Sequence, residues 1–223
     1  PVVLTHAPLV ASAAGKWDMD YLTANLRDLP CTVYSSRSRH FRYWDEEKNE
    51  AGYRLEEGER TARLTMSFAD YVALAARPEP PPSASGDGGG ASGASGARYY
   101  LQTALTAGVG DEMMRDFRAF DWDGLSATQR RLEWGELTSN LLLVGSRGNT
   151  TPAHYDEQQN LFAQLVGTKR CLLFSPAEFD KLYPFPVSHP CDRQSQVDLY
   201  DPDPTRFPRF ARARPYATGD RTV

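Results

Sequence analysis

A histidine and an aspartate one residue apart, His154 and Asp156, constrain the fold of this chain more than any other feature of its sequence. In an extended strand, residues two apart project to the same side of the chain. The pair can therefore offer an imidazole nitrogen and a carboxylate oxygen to one metal ion. A second histidine from another strand would complete the two-histidine, one-carboxylate arrangement that holds Fe(II) with open coordination positions. Most such triplets are surface pairs, so the spacing alone leaves a metal site and a surface pair as alternatives.

The residues on either side of this pair predict strands. The apolar run at 140–144 predicts a buried strand that leads into the metal pair. Residues 160–166 and 169–174 predict a hairpin that turns between them. Farther upstream, residues 31–36 predict a strand, and residues 40–44 are expected to pair with it across a short turn.

Local signals also predict where helices begin. Asp18, Ser67 and Ser175 are each expected to cap a helix, the last with proline at the first helical position. A further amphipathic helix is predicted to begin at Asp111. The apolar residues of these helices recur at helical spacing, which indicates core packing rather than a cofactor site.

Composition indicates a single globular domain. A chain of 223 residues is long enough for one domain with a sizeable core, which we assign to 1–223. Residues 79–97 are almost wholly Pro, Ser, Gly and Ala and predict a flexible insertion within that domain. A net charge of -4 argues against nucleic acid as a partner, and no apolar run approaches the roughly 20 residues of a membrane helix. Three cysteines without paired spacing indicate reduced thiols, so we expect a soluble, intracellular protein.

Several specific runs resemble one family. These runs are 137–145, 151–160, 162–164, 169–174 and 189–198. They are similar to the JmjC/cupin-like Fe(II)- and 2-oxoglutarate-dependent dioxygenases, and within them to the asparaginyl hydroxylase type known as the factor inhibiting hypoxia-inducible factor. The resemblance extends from near the first residue to about Phe210, with one interruption at the insertion. It implies a mainly β, α+β fold with flanking helices, built on a double-stranded β-helix of the jelly-roll type.

The resemblance implies roles for residues around the metal pair. His154 and Asp156 match the iron ligands and are the expected catalytic centre. The co-substrates would be 2-oxoglutarate and O2. Lys169 matches the cation that holds the distal carboxylate of 2-oxoglutarate, although an exposed lysine at a strand end is the alternative. The remaining cofactor contacts would come from two hydroxyls and one amide: Thr151, Tyr100 and Asn160.

Further matches imply a substrate groove. Gln158, Arg193 and Gln194 match positions that hold the target asparagine, and amides suit this task because they offer both donors and an acceptor. A polar loop network is the alternative for these three residues. An aromatic and acidic cluster matches the mouth of the family's active site: Tyr43, Trp44, Asp45 and Glu46. Its alternative is a half-buried aromatic pair followed by a solvated acidic turn.

The implied activity is hydroxylation of asparagine in extended protein segments. The implied partners are transactivation domains like that of hypoxia-inducible factor and ankyrin-repeat proteins, with aspartate and histidine as targets in some family members. Neither nucleic acid nor a membrane is expected as a partner. These partners imply a protein of the cytoplasm and nucleus, and a full-length form that dimerises through C-terminal helices.

The third iron ligand departs from the family pattern. In the family it is a histidine on a later strand, and this sequence reaches Val223 before that strand, so we expect a domain that is incomplete at its C-terminus. His6, His40 and His189 do not match the ligand position. Two alternatives follow: a working hydroxylase seen in part, or a truncated, non-catalytic relative that keeps the groove as a peptide-binding module. A third is a related JmjC enzyme that acts on another protein side chain.

Overall fold

The sheet is the centre of the fold. A computed structural model describes residues 3–5, 7–54, 60–77, 96–105 and 108–216. Its four strands are antiparallel and lie in the order β2-β1-β3-β4. Their bounds are β1 Pro30–Ser36, β2 Ala62–Ser67, β3 Arg98–Ala104 and β4 Leu141–Gly145. The predicted strands at 31–36 and 140–144 are confirmed, with β4 shifted by one residue. β4 is less buried than predicted, since Leu142 is buried but Leu141 is 53% exposed.

The register of the sheet is anchored by apolar side chains. Val33 of β1 lies opposite Leu64 of β2 and Leu101 of β3, and Leu101 lies opposite Val144 of β4. Val33 and Leu101 are fully buried. Because side chains alternate along a strand, a shift of one residue would turn this row to the opposite face, which fixes the pairing.

In the described part of the chain, four α-helices accompany the sheet, and their caps follow the sequence. Asp18 accepts a hydrogen bond from the amide of Tyr21 at 2.8 Å, and Ser67 accepts one from Asp70 at 3.1 Å. The predicted helix at Ser175 is a 3-10 helix, with the serine hydroxyl accepting from the amide of Ala177. The helices are α1 Met19–Leu26, α2 Phe68–Ala75, α3 Asp111–Arg118 and α4 Trp122–Arg131, and the 3-10 segments are Pro8–Val10, Glu46–Lys48, Pro176–Lys181 and Phe210–Arg212.

The main core lies between the helices and the sheet. It joins Leu22 and Leu26 of α1, Phe68 and Tyr71 of α2 and Met113 of α3 to the central strands. Full burial of one such side chain contributes roughly 1.5–3 kcal/mol, so these contacts dominate the stability of this layer. The predicted core role of the helix that begins at Asp111 is confirmed.

The predicted strand at 40–44 is wrong. Residues 41–45 form no strand, and His40 makes a single parallel bridge with Thr150. The two edges of β1 are taken instead by β2 and β3, which follow later in the chain. Long-range pairing of β1 with β2 and β3 therefore replaces the predicted pairing of β1 with the segment that follows it. Local sequence patterns do not reveal such long-range pairing.

The predicted hairpin at 160–174 is also wrong. Gly167 has a positive φ of 76°, as a tight turn requires, but the flanking residues form no ladder. Leu161, Phe162 and Val166 are exposed, and Leu165 packs, partly buried, against the main core, so the expected hairpin would have no fully buried face. An isolated two-stranded hairpin without a buried face is marginal in water. Phe174 bridges Pro215 instead.

Residues 146–216 are held by turns and isolated bridges. The bridges join His154 to Gln194, Pro184 to Ser195 and Phe174 to Pro215. Within the described ranges, none of the helices has the length and apolar character needed to span a bilayer. The predicted insertion at 79–97 lies outside the described residues as far as 95.

Candidate metal centre and adjoining cleft

The imidazole of His154 is oriented by its own backbone. Its Nδ1 lies 2.8 Å from the carbonyl oxygen of Pro152. A carbonyl oxygen can only accept a hydrogen bond, so Nδ1 carries a proton, and in the neutral form of the ring the lone pair lies on Nε2. Metal-binding histidines use this kind of support from the second nitrogen to fix tautomer and ring direction.

The carboxylate of Asp156 faces that lone pair. The distance from Nε2 of His154 to Oδ2 of Asp156 is 3.9 Å, too long for a hydrogen bond. Both side chains are open to solvent, with exposed fractions of 41% and 57%. One nitrogen and one oxygen donor suit Fe(II), and an octahedral ion with bonds of about 2.1 Å needs the two atoms roughly 1 Å closer. Rotation of the exposed Asp156 side chain supplies that movement, so the pair fits two ligand positions of an iron site.

A third protein ligand is not found among the described residues. No group of three or more His, Cys, Asp or Glu side chains comes together there in a geometry that would hold a metal ion. His40 lies 3.5 Å from Asp198, and His189 is buried among aromatic rings. His6 lies outside the described residues.

The segment that carries the metal pair is paired with the loop at 193–195. The amide of Ser195 donates to the carbonyl of Ala153 at 2.7 Å, and the amide of Tyr155 donates to that of Arg193 at 3.1 Å. These bonds flank the bridge between His154 and Gln194. The position of His154 therefore depends on the loop opposite.

A cleft of about 300 Å³ is lined by all four predicted mouth residues. Trp44 donates through Nε1 to Glu46 Oε2 at 2.7 Å, and Arg60 binds the same carboxylate oxygen at 3.1 Å. The structure thus places Tyr43, Trp44, Asp45 and Glu46 on one concave surface. The 64% exposure of the Glu46 side chain also fits the alternative of a solvated acidic turn, so the role of these residues at an active-site mouth stays a prediction. Five further lining residues were not predicted from the sequence: Tyr34, Arg42, Glu47, Thr61 and Arg63. Arg63 lies opposite Tyr34 in the register of β1 and β2, a pairing that the local pattern does not contain.

Gln194 follows the polar-network alternative in this structure. It is 5% exposed, and its amide is bonded on both sides to the backbone of Tyr43. Arg193 is half-buried, with Nε 3.6 Å from Asp192 and Nη1 4.0 Å from Glu157. Gln158 is exposed. The three predicted asparagine contacts therefore differ in what they are free to bind.

The predicted cofactor contacts stay predictions. Lys169 is exposed, and its Nζ lies 4.2 Å from the ring centroid of Phe162. Thr151 and Asn160 are exposed, while burial raises the pKa of the half-buried Tyr100. Across the described part of the chain, no hydrogen bond or ion pair links these four residues to the metal pair. The strand that was expected to present Lys169 is not formed.

Comparison with known proteins reveals similarity along nearly the whole chain. A family model described as a cupin-like domain matches residues 1–219. Lysine-specific demethylase 8 of Xenopus tropicalis is 46% identical over 78 residues, which are 35% of this chain and 17% of that protein. JmjC domain-containing protein D of Dictyostelium discoideum is 43% identical over 67 residues, 30% of this chain and 15% of that protein. The tRNA wybutosine-synthesizing protein 5 of Danio rerio is 35% identical over 78 residues, 35% of this chain and 22% of that protein. The matched segments thus span less than a quarter of each relative.

Proposed function

The chain belongs to the cupin-like domain family, and from this premise we propose that it is an Fe(II)- and 2-oxoglutarate-dependent oxygenase that hydroxylates a protein side chain. The predicted fold class is confirmed, since a cupin-like domain with an antiparallel sheet and flanking helices is what the chain contains. Relatives with JmjC/cupin-like domains are, in general, 2-oxoglutarate oxygenases. The narrower asparaginyl hydroxylase assignment belongs to the proposal.

The orientation of the metal pair is the observation that carries this proposal. The Pro152 carbonyl holds Nδ1 of His154, which leaves Nε2 facing the Asp156 carboxylate across 3.9 Å. In the neutral form of His154 both atoms carry lone pairs, and a cation between them would be attracted to both. Bound Fe(II) with 2-oxoglutarate would supply the oxidising chemistry. The chain would supply the ligands, the anchor at Lys169 and the wall of the cleft.

Asparagine in an extended segment is the first candidate for the target. The cleft at Tyr43–Glu46 joins aromatic surface to both acidic and basic side chains, a lining suited to a peptide of mixed polarity. Substrates of this kind would be transactivation segments and ankyrin repeats, met in the cytoplasm or nucleus. Three relatives favour a second candidate, because their name, lysine-specific demethylase, points to another protein side chain.

Metal binding and turnover test the proposal in the same preparation. The protein would be given Fe(II), 2-oxoglutarate, O2 and a panel of asparagine-containing and lysine-containing peptides, with succinate and peptide mass as readouts. We expect succinate formation coupled to a gain of one oxygen atom on an asparagine peptide. Asp156→Ala should abolish both signals, whereas Glu157→Ala, which removes the neighbouring exposed carboxylate, should keep them.

The outcomes separate the candidates. Succinate without a mass gain on asparagine peptides would contradict the asparagine assignment, and a mass loss on a methylated lysine peptide would favour the second candidate. Peptide binding at the cleft without any turnover would favour the peptide-binding module, whose groove wall at Tyr43–Glu46 is formed in this chain.

A further inference from the structure

Three alternate amides tie the extended segment 41–45 to three other parts of the chain. Phe41 donates to the carbonyl of Thr150 at 2.8 Å, and Asp45 donates to that of Pro190 at 2.9 Å. Between them, Tyr43 donates to Oε1 of Gln194 at 2.9 Å. Alternate residues of an extended chain point the same way, so the three donors form one row. The acceptor at the middle position is a side-chain oxygen, whereas the acceptors at the two outer positions are backbone carbonyls.

The Gln194 carboxamide pairs with both polar groups of Tyr43. Its Nε2 also donates to the Tyr43 carbonyl at 2.7 Å, so the amide makes the same two bonds that a residue of a neighbouring strand would make. A carboxamide can do this because it carries a donor and an acceptor in one plane. A carboxylate of the same shape would place an acceptor against the Tyr43 carbonyl.

The main chain of Gln194 is fixed to the metal segment. Gln194 forms an isolated β-bridge with His154. The hydrogen bonds from the Ser195 amide to the Ala153 carbonyl and from the Tyr155 amide to the Arg193 carbonyl lie on either side of this bridge. The Gln194 carbonyl accepts from the amide of Phe185 at 2.9 Å. One buried residue is thus bonded through its side chain to the cleft wall and through its backbone to the segment that carries the metal pair.

We infer that Gln194 is a positioning residue that sets the register of the cleft wall at Tyr43–Glu46 against His154 and Asp156. Its amide is bonded to the backbone of Tyr43 through one donor and one acceptor. This inference rests on the proposed function in one respect, because it treats the cleft and the metal pair as parts of one site.

Amide hydrogen exchange of the whole chain tests the inference without turnover. In Gln194→Glu at pH 7, we expect the protection of the Tyr43 amide to fall about tenfold, since one bond is lost and two acceptors face each other. The protection at Phe41 and Asp45 should stay within about twofold, because their acceptors are unchanged. Gln196→Glu is the matched control: Gln196 lies in the same loop and donates to Pro184 at 3.4 Å, away from Tyr43.

Acidification supplies a second test of the bond between residue 194 and the Tyr43 carbonyl. A glutamic acid side chain, with an ordinary pKa of about 4.3, regains a donor when it is protonated. The protection of Tyr43, corrected for the intrinsic exchange rate, should therefore rise on acidification in Gln194→Glu and not in the wild type. Equal protection of Tyr43 in both proteins at pH 7, or no recovery in acid, would overturn the inference.

Two further measurements keep the inference testable if Gln194→Glu does not fold or if the metal proposal fails. Tyr43→Ala leaves the backbone partners of Gln194 in place, so the amide of residue 43 should stay protected, and its loss would count against the pairing. Mn²⁺ should alter the exchange of the Tyr43 amide in the wild type and not in Gln194→Glu. If Mn²⁺ does not bind the wild type, the metal proposal fails while the exchange data at pH 7 still decide the role of Gln194.

Discussion

His189 lies in the loop that leads to Gln194 and packs against three aromatic rings. The ring centroids of Phe185 and Tyr53 lie 4.2 Å and 4.3 Å from that of His189, and Trp44 meets it edge-on at 6.1 Å. The Nδ1 atom accepts a hydrogen bond from the amide of Cys191 at 3.0 Å, so this nitrogen carries no proton. Burial lowers the pKa of His189, and the nearby Arg42 lowers it further. The folded protein therefore holds this imidazole neutral.

This histidine should make stability depend on pH in a defined direction. Above the unfolded-state pKa of about 6.5, both states are neutral and the folded state keeps its full stability. As the pH falls below that value towards the lower folded pKa, the unfolded chain takes up the proton first and stability is lost. Urea unfolding at pH 7.5 and pH 5 should therefore reveal a larger loss in the wild type than in His189→Asn. Asparagine does not titrate, and its carbonyl can accept from the Cys191 amide. Equal losses in the two proteins would contradict this role for His189.

The Asp116 carboxylate of helix α3 makes three hydrogen bonds to residues 16–21. Asp116 accepts hydrogen bonds from Tyr21 Oη at 2.6 Å, Trp17 Nε1 at 2.9 Å and Lys16 Nζ at 2.9 Å. Burial acts to raise the pKa of Asp116, but the bonds from Tyr21, Lys16 and Trp17 outweigh it and lower the pKa. Burial and the same carboxylate raise the pKa of Tyr21 to about 12. The negative charge of Asp116 is thus hydrogen-bonded by Lys16, Trp17 and Tyr21 only in the folded state.

Asp116→Asn should destabilise the fold, because its amide nitrogen must replace either Oδ2, which accepts from Tyr21 and Trp17, or Oδ1, which accepts from Lys16. Hydrogen bonds to a charged group contribute about 1.5–3 kcal/mol, so we expect a loss of about 2 kcal/mol in the free energy of unfolding. Glu112→Gln is the control on the same helix. Its carboxylate also meets Lys16, at 3.1 Å, but is 51% exposed, so its loss should cost about 0.5 kcal/mol or less. Urea denaturation followed by fluorescence measures both, and comparable losses would contradict the special role of Asp116.

Elements whose ends are set by neighbouring residues could be predicted from the sequence. The caps at Asp18, Ser67 and Ser175 act over three residues or fewer, and the helices begin where expected. The hairpin predicted at 160–174 is not formed. A turn residue is a local signal in the sequence, whereas the surface that would bury a hairpin comes from distant residues. The site divides in the same way. The spacing of His154 and Asp156 is a local pattern, while the contact of Gln194 with Tyr43 joins residues 151 positions apart and leaves no trace in either neighbourhood.

The whole molecule has two parts that differ in how they are held together. The sheet and helices up to Gly145 share one buried core with continuous strand pairing. Residues 146–216 rely on isolated bridges and leave Leu161, Phe162 and Val166 exposed. Segments with fewer buried apolar contacts open at lower free energy than the core. The amides of Tyr155 and Ser195 should therefore exchange faster than those in the middle of β1 and β3.

Metal binding should narrow the difference in amide exchange rate between Tyr155 or Ser195 and the middle of β1 and β3. The reason is that a bound ion stabilises only conformations that keep His154 and Asp156 together. An ion at one hundred times its dissociation constant stabilises the bound state by about 2.7 kcal/mol, which is roughly a hundredfold in the opening equilibrium. We expect Mn²⁺ at that level to slow the exchange of the Tyr155 and Ser195 amides about a hundredfold, since their bonds flank the metal segment. Asp156→Ala should remove the effect and Glu157→Ala should retain it, with hydrogen exchange as the measurement for each. Unchanged exchange at Tyr155 and Ser195 with bound Mn²⁺ would mean that the ion binds elsewhere, and the pairing of residues 153–155 with 193–195 would then have no part in the metal site.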